Sequence, residues 1–284
     1  MSNIHNTVCK FSGAGNDFVV IDGRKGDVSE FRTVERIGEL CREYRTDGLM
    51  ILTDSPVKPA NDGPFDFVME FYNPDGTGGM MCGNGGRCIT AFADMLGLKP
   101  AAEDGTWHFL APDGPHESRI LAKEPGKWTV RLKMIDLDGI TPMMGGYFLN
   151  TGTRHFVKFV DDVDAMDMER DAKPLRWDPA FQPIGTNVNF VERREDGLHI
   201  RTYEKGVEGE TLACGTGITA SAIASVIDSP VKPANDEKVP ANDGVHLQCR
   251  RGDWLTVEFK KDGQGFKEVY LTGPAELVKT IELC

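Results

Sequence analysis

Cys82-Gly83-Asn84-Gly85-Gly86-Arg87-Cys88-Ile89-Thr90-Ala91-Phe92-Ala93-Asp94-Met95-Leu96 and Cys214-Gly215-Thr216-Gly217-Ile218-Thr219-Ala220-Ser221-Ala222-Ile223-Ala224-Ser225-Val226-Ile227 follow one plan. Each opens on Cys-Gly-polar-Gly and continues as a stretch with helical character, predicted over Gly85–Leu96 and Thr216–Ile227. Both stretches are apolar or small on almost every face, and a helix apolar all round is a buried helix. Tyr72-Asn73 lies ten residues before Cys82 and Tyr203-Glu204 eleven before Cys214, so the segments leading in also correspond.

Most of the remaining chain reads as strand. Short apolar or alternating runs bounded by Gly, Pro, Asn and Asp occur at Phe18–Asp22, Leu49–Thr53, Phe65–Tyr72, Trp107–Leu110, Trp128–Lys133, Tyr147–Leu149, His155–Val160, Val188–Val191, Leu198–Thr202, Val245–Cys249, Trp254–Phe259 and Glu268–Thr272. A third helix is expected over Val34–Tyr44, where Val34, Ile37, Leu40, Cys41 and Tyr44 recur at helical spacing. Two buried helices among many strands predict an α+β protein of two pseudo-symmetric domains, each a mainly antiparallel β-barrel or roll wrapped around a central α-helix. The duplication reaches back to Phe11-Ser-Gly-Ala-Gly-Asn16 and Asn150-Thr-Gly-Thr-Arg-His155, each a small-residue turn followed by a strand ending in Asp. The expected division is 1–126 plus 274–284 for the half carrying Cys82 and 127–273 for the half carrying Cys214, with a last strand after Gly273-Pro274 returning to the first half. Asp54–Asp62 recurs unchanged at Asp228–Asp236, and Pro-Ala-Asn-Asp returns at 240–243; their Pro and Asn-Asp content reads as surface loop.

The chain has 284 residues, 40% hydrophobic, with a formal net charge of -12. That size admits one large domain or two ordinary ones, and the acidic balance argues against nucleic acid or an anionic membrane as partner. No apolar run approaches the roughly 20 residues of a membrane helix, and residues 1–10 lack a signal-peptide pattern. Seven cysteines, an odd number in a chain of this length, read as reduced thiols in the cytoplasm.

A helix N-terminus favours thiolate over thiol, and its free N–H groups bind anions such as carboxylate. A carboxylate held between two thiols is the arrangement for inverting the adjacent carbon: one thiolate removes the α-proton and the other thiol delivers a proton to the opposite face, while backbone donors stabilise the enolate-like charge. A covalent nucleophile leaves the duplication unexplained. A metal site is disfavoured because Cys82 and Cys88 are six apart and the six His are scattered. Gly13-Ala-Gly15 lacks the third glycine and the following helix of a dinucleotide fingerprint. Cys9, Cys41, Cys88, Cys249 and Cys284 read as small core or surface residues.

At these motifs the chain resembles the diaminopimelate epimerase family. The resemblance runs from Phe11 to the C-terminus and rests on Gly15-Asn16-Asp17-Phe18, Asn73-Pro-Asp-Gly76, Met81–Cys88, Gly185-Thr-Asn187-Val-Asn-Phe190 and Glu210–Gly217. It implies a cofactor-independent isomerase interconverting LL- and meso-diaminopimelate in lysine and peptidoglycan precursor synthesis, with no cofactor or metal, a small amino-acid substrate and a homodimeric assembly. It assigns catalysis to Cys82 and Cys214 and substrate binding to Asn16, Asn73, Gly83, Asn84, Asn187, Glu204, Lys205, Gly215 and Thr216, with His155, Thr153 and Arg154 as supporting residues. Two departures bear on the substrate. Lys205 stands where the family usually has arginine, and a lysine cannot make arginine's two parallel bonds to carboxylate. Thr153-Arg154 stands where the family usually has Asn-Pro, so Arg154 is a candidate for the missing fork. The readings that compete are a racemase of another amino acid and a non-catalytic thiol pair serving as a redox switch or binding module.

Overall fold

The computed structural model describes residues 7–55, 65–78, 82–228 and 244–282. Contacts divide the chain into two units, Met1–Leu132 with Gly273–Cys284, and Lys133–Thr272. The turn at Pro125-Gly126 joins two paired strands inside the first unit.

The first unit holds β1 (Val8–Gly13), β2 (Asn16–Asp22), α1 (Val34–Tyr44), β3 (Gly48–Thr53), β4 (Phe67–Tyr72), α2 (Gly83–Met95), β5 (Thr106–Ala111), β6 (Gly114–Glu124) and β7 (Lys127–Lys133). The second holds β8 (Thr141–Met143), β9 (Gly146–Asn150), β10 (Arg154–Phe159), α3 (Lys173–Arg176), β11 (Asn187–Arg194), β12 (Gly197–Glu204), β13 (Gly209–Thr211), α4 (Gly215–Asp228), β14 (Val245–Gln248) and β15 (Trp254–Asp262). The last strand, β16 (Gly265–Ile281), begins in the second unit beside β15 and ends in the first, beside β7 and β1.

In the first unit, strands β1 to β7 are hydrogen-bonded in chain order, and β16 pairs with both β7 and β1. Eight strands thus form a closed barrel, which leaves no exposed edge. In the second unit the order is β16-β15-β14-β12-β11-β10-β9-β8, with β13 on β12. The expected α+β architecture, a mainly antiparallel sheet around a helix in each half, is the one observed.

The two units repeat one sequence of pairings. From β1 to β7, and again from β9 through β12 and β14 to β16, neighbours run antiparallel, parallel, antiparallel, parallel, antiparallel, antiparallel. Parallel neighbours need a crossover, which a helix supplies. Of the two crossovers in the first unit, α1 lies against the outside of the sheet. Its N-cap Thr33 accepts from the Arg36 N–H, and Ile37, Leu40 and Cys41 pack on Val8, Val19, Ile21, Leu49 and Ile51. The second crossover, α2, is buried from Gly83 to Ala93. Its absence of a polar face is what places it inside. Wall and helix meet closely at Gly13, where a Cβ would lie 2.8 Å from the Asn84 carbonyl oxygen and 2.9 Å from Cys88 Sγ. The equivalent crossover α4 is buried from Ile218 to Ser225.

Several expectations are corrected. Strands β1, β6, β8 and β13 were not foreseen. The first is buried on both faces, so it has no alternation to read, and β6 is largely exposed with Ser118 its one buried residue. The central helices begin two residues and one residue earlier than expected, at Gly83 and Gly215. Helical turns at Ser29–Arg32 and Met168–Arg176 add to the expected three helices. Gly273-Pro274 does not break the last strand: both residues pair with β7 inside β16. The repeated segments at 54–62 and 228–236, and the third copy at 240–243, lie almost wholly outside the described residues.

Arg87 is the largest fully buried side chain of the first unit. Its guanidinium donates to the carbonyls of Gly83 (3.2 Å), Gly13 (3.3 Å) and Pro274 (3.2 Å) and to Asn84 Oδ1 (2.8 Å). It therefore ties the start of α2 to β1 and β16. Arg87→Met should leave these acceptors unpaired and lower unfolding free energy by on the order of 3 kcal/mol in urea denaturation. An unchanged midpoint would contradict the clamp.

Candidate active site

Both cysteines precede the first turn of a buried helix. Cys82 is the N-cap of α2, in extended conformation (φ −103°, ψ 148°), and its Sγ accepts from the Gly85 N–H at 3.2 Å. The fit at Gly85 is tight: a Cβ there would lie 3.3 Å from Cys82 Sγ, Met50 Sδ and Met69 Cε, and these side chains would have to yield by a few tenths of an ångström. The Gly86 N–H bonds the Cys82 carbonyl. Helix geometry then leaves the N–H groups of Gly83 and Asn84 without an intrahelical acceptor. The side chain of Asn84, only 2% exposed, is committed to the fold: Nδ2 donates to Asn16 Oδ1 at 2.6 Å and Oδ1 accepts from Arg87. Asn16 and Asn84 are thus brought together beside Cys82 and Gly83. Asn73 is held in its own turn, with Nδ2 donating to Thr77 Oγ1 at 3.0 Å.

The second unit gathers more of the expected residues. The Ile218 N–H takes the Cys214 carbonyl at 2.8 Å, so the N–H groups of Gly215 and Thr216 are the equivalents of those at 83 and 84. Cys214 Sγ lies 3.4 Å from Thr216 Oγ1. Thr216 Oγ1 is 2.9 Å from Thr153 Oγ1 and 2.9 Å from His155 Nε2. Asn187 Nδ2 donates to Thr153 Oγ1 at 3.2 Å, and Asn187 Oδ1 accepts from the Lys205 N–H at 2.8 Å. The Glu204 carboxylate accepts from Thr211 Oγ1. Two candidates point elsewhere. Lys205 Nζ donates to the Ile184 carbonyl at 3.1 Å, and Arg154 lies over the Phe148 ring with Nη1 on the Phe181 carbonyl at 3.2 Å.

Burial raises the Cys214 thiol well above its ordinary value, and the negative charge of Glu204 raises it further. Bonds from the Thr216 hydroxyl and the Gly217 N–H act the other way. Burial pushes His155 down to about 3, against a weaker raising effect from Asn189, so its ring is neutral at physiological pH. Among the described residues no cluster of three His, Cys, Asp or Glu side chains could hold a metal ion, and no helix is long and apolar enough to cross a membrane.

Asn189 and Arg87 were missed in the sequence. Asn189 Nδ2 bonds His155 Nδ1 at 3.0 Å and the Phe156 carbonyl at 3.2 Å. The first turn of α4 sits directly on it, because a Cβ at Gly217 would lie 2.5 Å from Asn189 Oδ1. A signal was available: Asn187 and Asn189 are two apart on a strand, which puts them on one face.

The fold is shared with solved structures. A phenazine biosynthesis protein of the PhzF family from Bacillus anthracis superposes with a TM-score of 0.71, at 14% identity and 98% coverage of both chains. A hydroxyproline epimerase from Agrobacterium vitis gives 0.58 at 16% identity, covering 97% of this chain and 91% of that one. At these identities the likeness is one of fold. Sequence comparison goes further. The diaminopimelate epimerase model matches residues 147–278. The diaminopimelate epimerase of Aquifex aeolicus is 38% identical over 93% of this chain and 92% of its own length, and that of Chlorobaculum tepidum 37% over 94% and 97%. The chain belongs to the diaminopimelate epimerase family and is an isomerase.

Because the folded pKa of His155 lies below its unfolded value near 6.5, the unfolded chain binds the extra proton as pH falls. Stability is unaffected above about pH 6.5 and declines below it, by about 1 kcal/mol between pH 6 and pH 5 from this residue alone. His155→Gln should flatten that part of the stability profile in denaturation experiments at stepped pH. An equal slope in both proteins would contradict the buried neutral ring.

Proposed function

We propose that this chain epimerises 2,6-diaminopimelate between its LL and meso forms, with Cys82 and Cys214 as the two acid–base groups. The observation that carries this is the repeated placement of a cysteine immediately before the first turn of a helix buried over most of its length, once in each unit. Each helix start offers two backbone N–H groups to the α-carboxylate, from Gly83 and Asn84 and from Gly215 and Thr216. The same donors strengthen their bonds as negative charge builds on the carboxylate during α-proton removal.

Burial and the Glu204 carboxylate bias Cys214 toward the thiol, the form that gives a proton. For one epimer Cys82 then removes the α-proton as thiolate while Cys214 donates. For the other the roles reverse. Asn16, Asn73, Asn187, Glu204 and Lys205 supply polar partners for the substrate, with Glu204 an acceptor suited to an ammonium group. The product serves lysine and peptidoglycan precursor synthesis. A cytoplasmic setting keeps the thiols reduced, and the family resemblance implies a homodimer.

One observation favours a second reading, a related amino acid as substrate. The Lys205 ammonium donates to a backbone carbonyl, and it lacks the arginine fork suited to a distal carboxylate.

Incubation with LL-diaminopimelate in D₂O under reducing conditions should give meso product and deuterium at the α-carbon. Absence of both, with exchange into another amino acid in a substrate panel, would move the assignment to the second reading. Absence of exchange into any amino acid would sink both. Cys82→Ala and Cys214→Ala should each lower inversion by on the order of a thousandfold; full activity in either would refute the two-base assignment.

A further inference from the structure

The hydrogen positions around Cys214 follow from groups that have only one role. The Lys205 N–H can only donate, so the oxygen of the Asn187 amide faces it, at 2.8 Å, and Nδ2 faces Thr153. The Phe156 carbonyl can only accept, so Asn189 Nδ2 faces it, at 3.2 Å. The second hydrogen of Asn189 Nδ2 then points at His155 Nδ1, 3.0 Å away, and Asn189 Oδ1 accepts from Thr202 Oγ1 at 3.0 Å. A nitrogen that faces an N–H donor is the bare one. The neutral ring of His155 therefore carries its hydrogen on Nε2.

That hydrogen lies between two hydroxyl oxygens, Thr153 Oγ1 and Thr216 Oγ1, each 2.9 Å from Nε2. The contact between Asn187 Nδ2 and His155 Nε2 is longer, at 3.4 Å, as befits two donors side by side. Thr153 Oγ1 faces the Asn187 amide hydrogen and shares the His155 hydrogen with Thr216, so its own hydrogen is the one it gives away. Its own hydrogen has Thr216 Oγ1 as acceptor, 2.9 Å away, and the Thr216 hydrogen in turn has Cys214 Sγ, at 3.4 Å. The Thr151 hydroxyl bonds the Thr216 carbonyl at 2.8 Å and fixes that residue. The series thus allows each hydrogen to be passed on toward the sulfur.

We propose that Thr153 is a positioning residue: with Asn189 and His155 it directs the Thr216 hydroxyl hydrogen onto Cys214 Sγ and so stabilises the thiolate, rather than contacting substrate. This rests on the reading of Cys214 as an acid–base group. Glu204 opposes thiolate formation at the same sulfur. The relay offsets that cost, and it accounts for a threonine at 153, whose hydroxyl both accepts and donates. A side chain that only accepts or only donates would stop the series there.

The test is alkylation of Cys214 by iodoacetamide at fixed pH, followed by mass spectrometry of its peptide, in the intact protein. The rate reports the thiolate fraction. Thr153→Val should slow it roughly tenfold, the effect of losing one hydrogen bond to a charged group, and should lower kcat with KM for diaminopimelate unchanged. Thr153→Ser should restore both. A raised KM with an unchanged alkylation rate would overturn the proposal and make Thr153 a substrate contact. Asn189→Asp gives an independent check, since a carboxylate accepts from Nδ1. Nitrogen NMR of His155 should show the hydrogen on Nε2 in the parent and on Nδ1 in Asn189→Asp; a parent with the hydrogen on Nδ1 overturns the proposal. Melting temperatures confirm that each variant is folded. The alkylation and NMR readouts use no substrate. A parent protein that exchanges no α-proton therefore defeats the acid–base reading of Cys214 while leaving the relay judged on its own.

Discussion

A helix start sealed inside a sheet is the constraint on which the rest of this structure depends. The first N–H groups of any helix have no acceptor within it, and in α2 and α4 they belong to residues largely enclosed by the sheet. The chain meets this in two ways. Some donors are taken internally, by Cys82 Sγ and by the carbonyls of Cys82 and Cys214. The others, at Gly83, Asn84, Gly215 and Thr216, remain a standing preference for an anion. On the proposed function, the structural problem of burying the helix and the chemical task of holding a carboxylate fall on the same atoms.

Positioning those atoms needs polar groups deep in each unit, and both units place them where they are fully used. Arg87 is enclosed, yet carbonyls from α2, β1 and β16 and the Asn84 amide receive its hydrogens. His155 is enclosed as well, and it is carried neutral because burial disfavours the charged ring. A buried polar group costs little when its bonds are made and several kcal/mol when they are not. These networks therefore fix one geometry in preference to near alternatives.

Much of this was legible in the sequence, for identifiable reasons. The central helices announced themselves by lacking a polar face, and their burial implied a sheet around each. The duplicated cysteine motif located both candidate acid–base groups. What escaped depends on register and on distant partners. β6 carries polar residues over most of its length because one side of it meets solvent, so no apolar alternation marks it. The partners of Arg87 include Pro274, 187 residues away. No local pattern distinguishes a charge that clamps a buried turn from one that lies on the surface. Asn189 was hidden differently. It stood beside Asn187 in a quoted motif, but its importance comes from the parallel pairing of β10 with β11, which sets His155 opposite Asn187 and Val157 opposite Asn189.

The opposing influences on Cys214 have a consequence for a reaction that must run both ways. On the proposed assignment, a group that serves as acid for one epimer and base for the other cannot be held firmly in either form, since each 1.4 kcal/mol of bias leaves about tenfold less enzyme in the form that one epimer requires. Burial and the Glu204 carboxylate bias Cys214 toward the thiol, and the Thr216 hydroxyl and Gly217 N–H bias it back. Removing Glu204's charge alone should therefore not improve the enzyme uniformly. It should raise the share of free enzyme with Cys214 as thiolate at the expense of the share with it as thiol, while the ratio of kcat/KM in the two directions stays fixed by the equilibrium between the epimers. Balance between these terms, more than the strength of any one of them, is what the polar surroundings of this sulfur are arranged to supply.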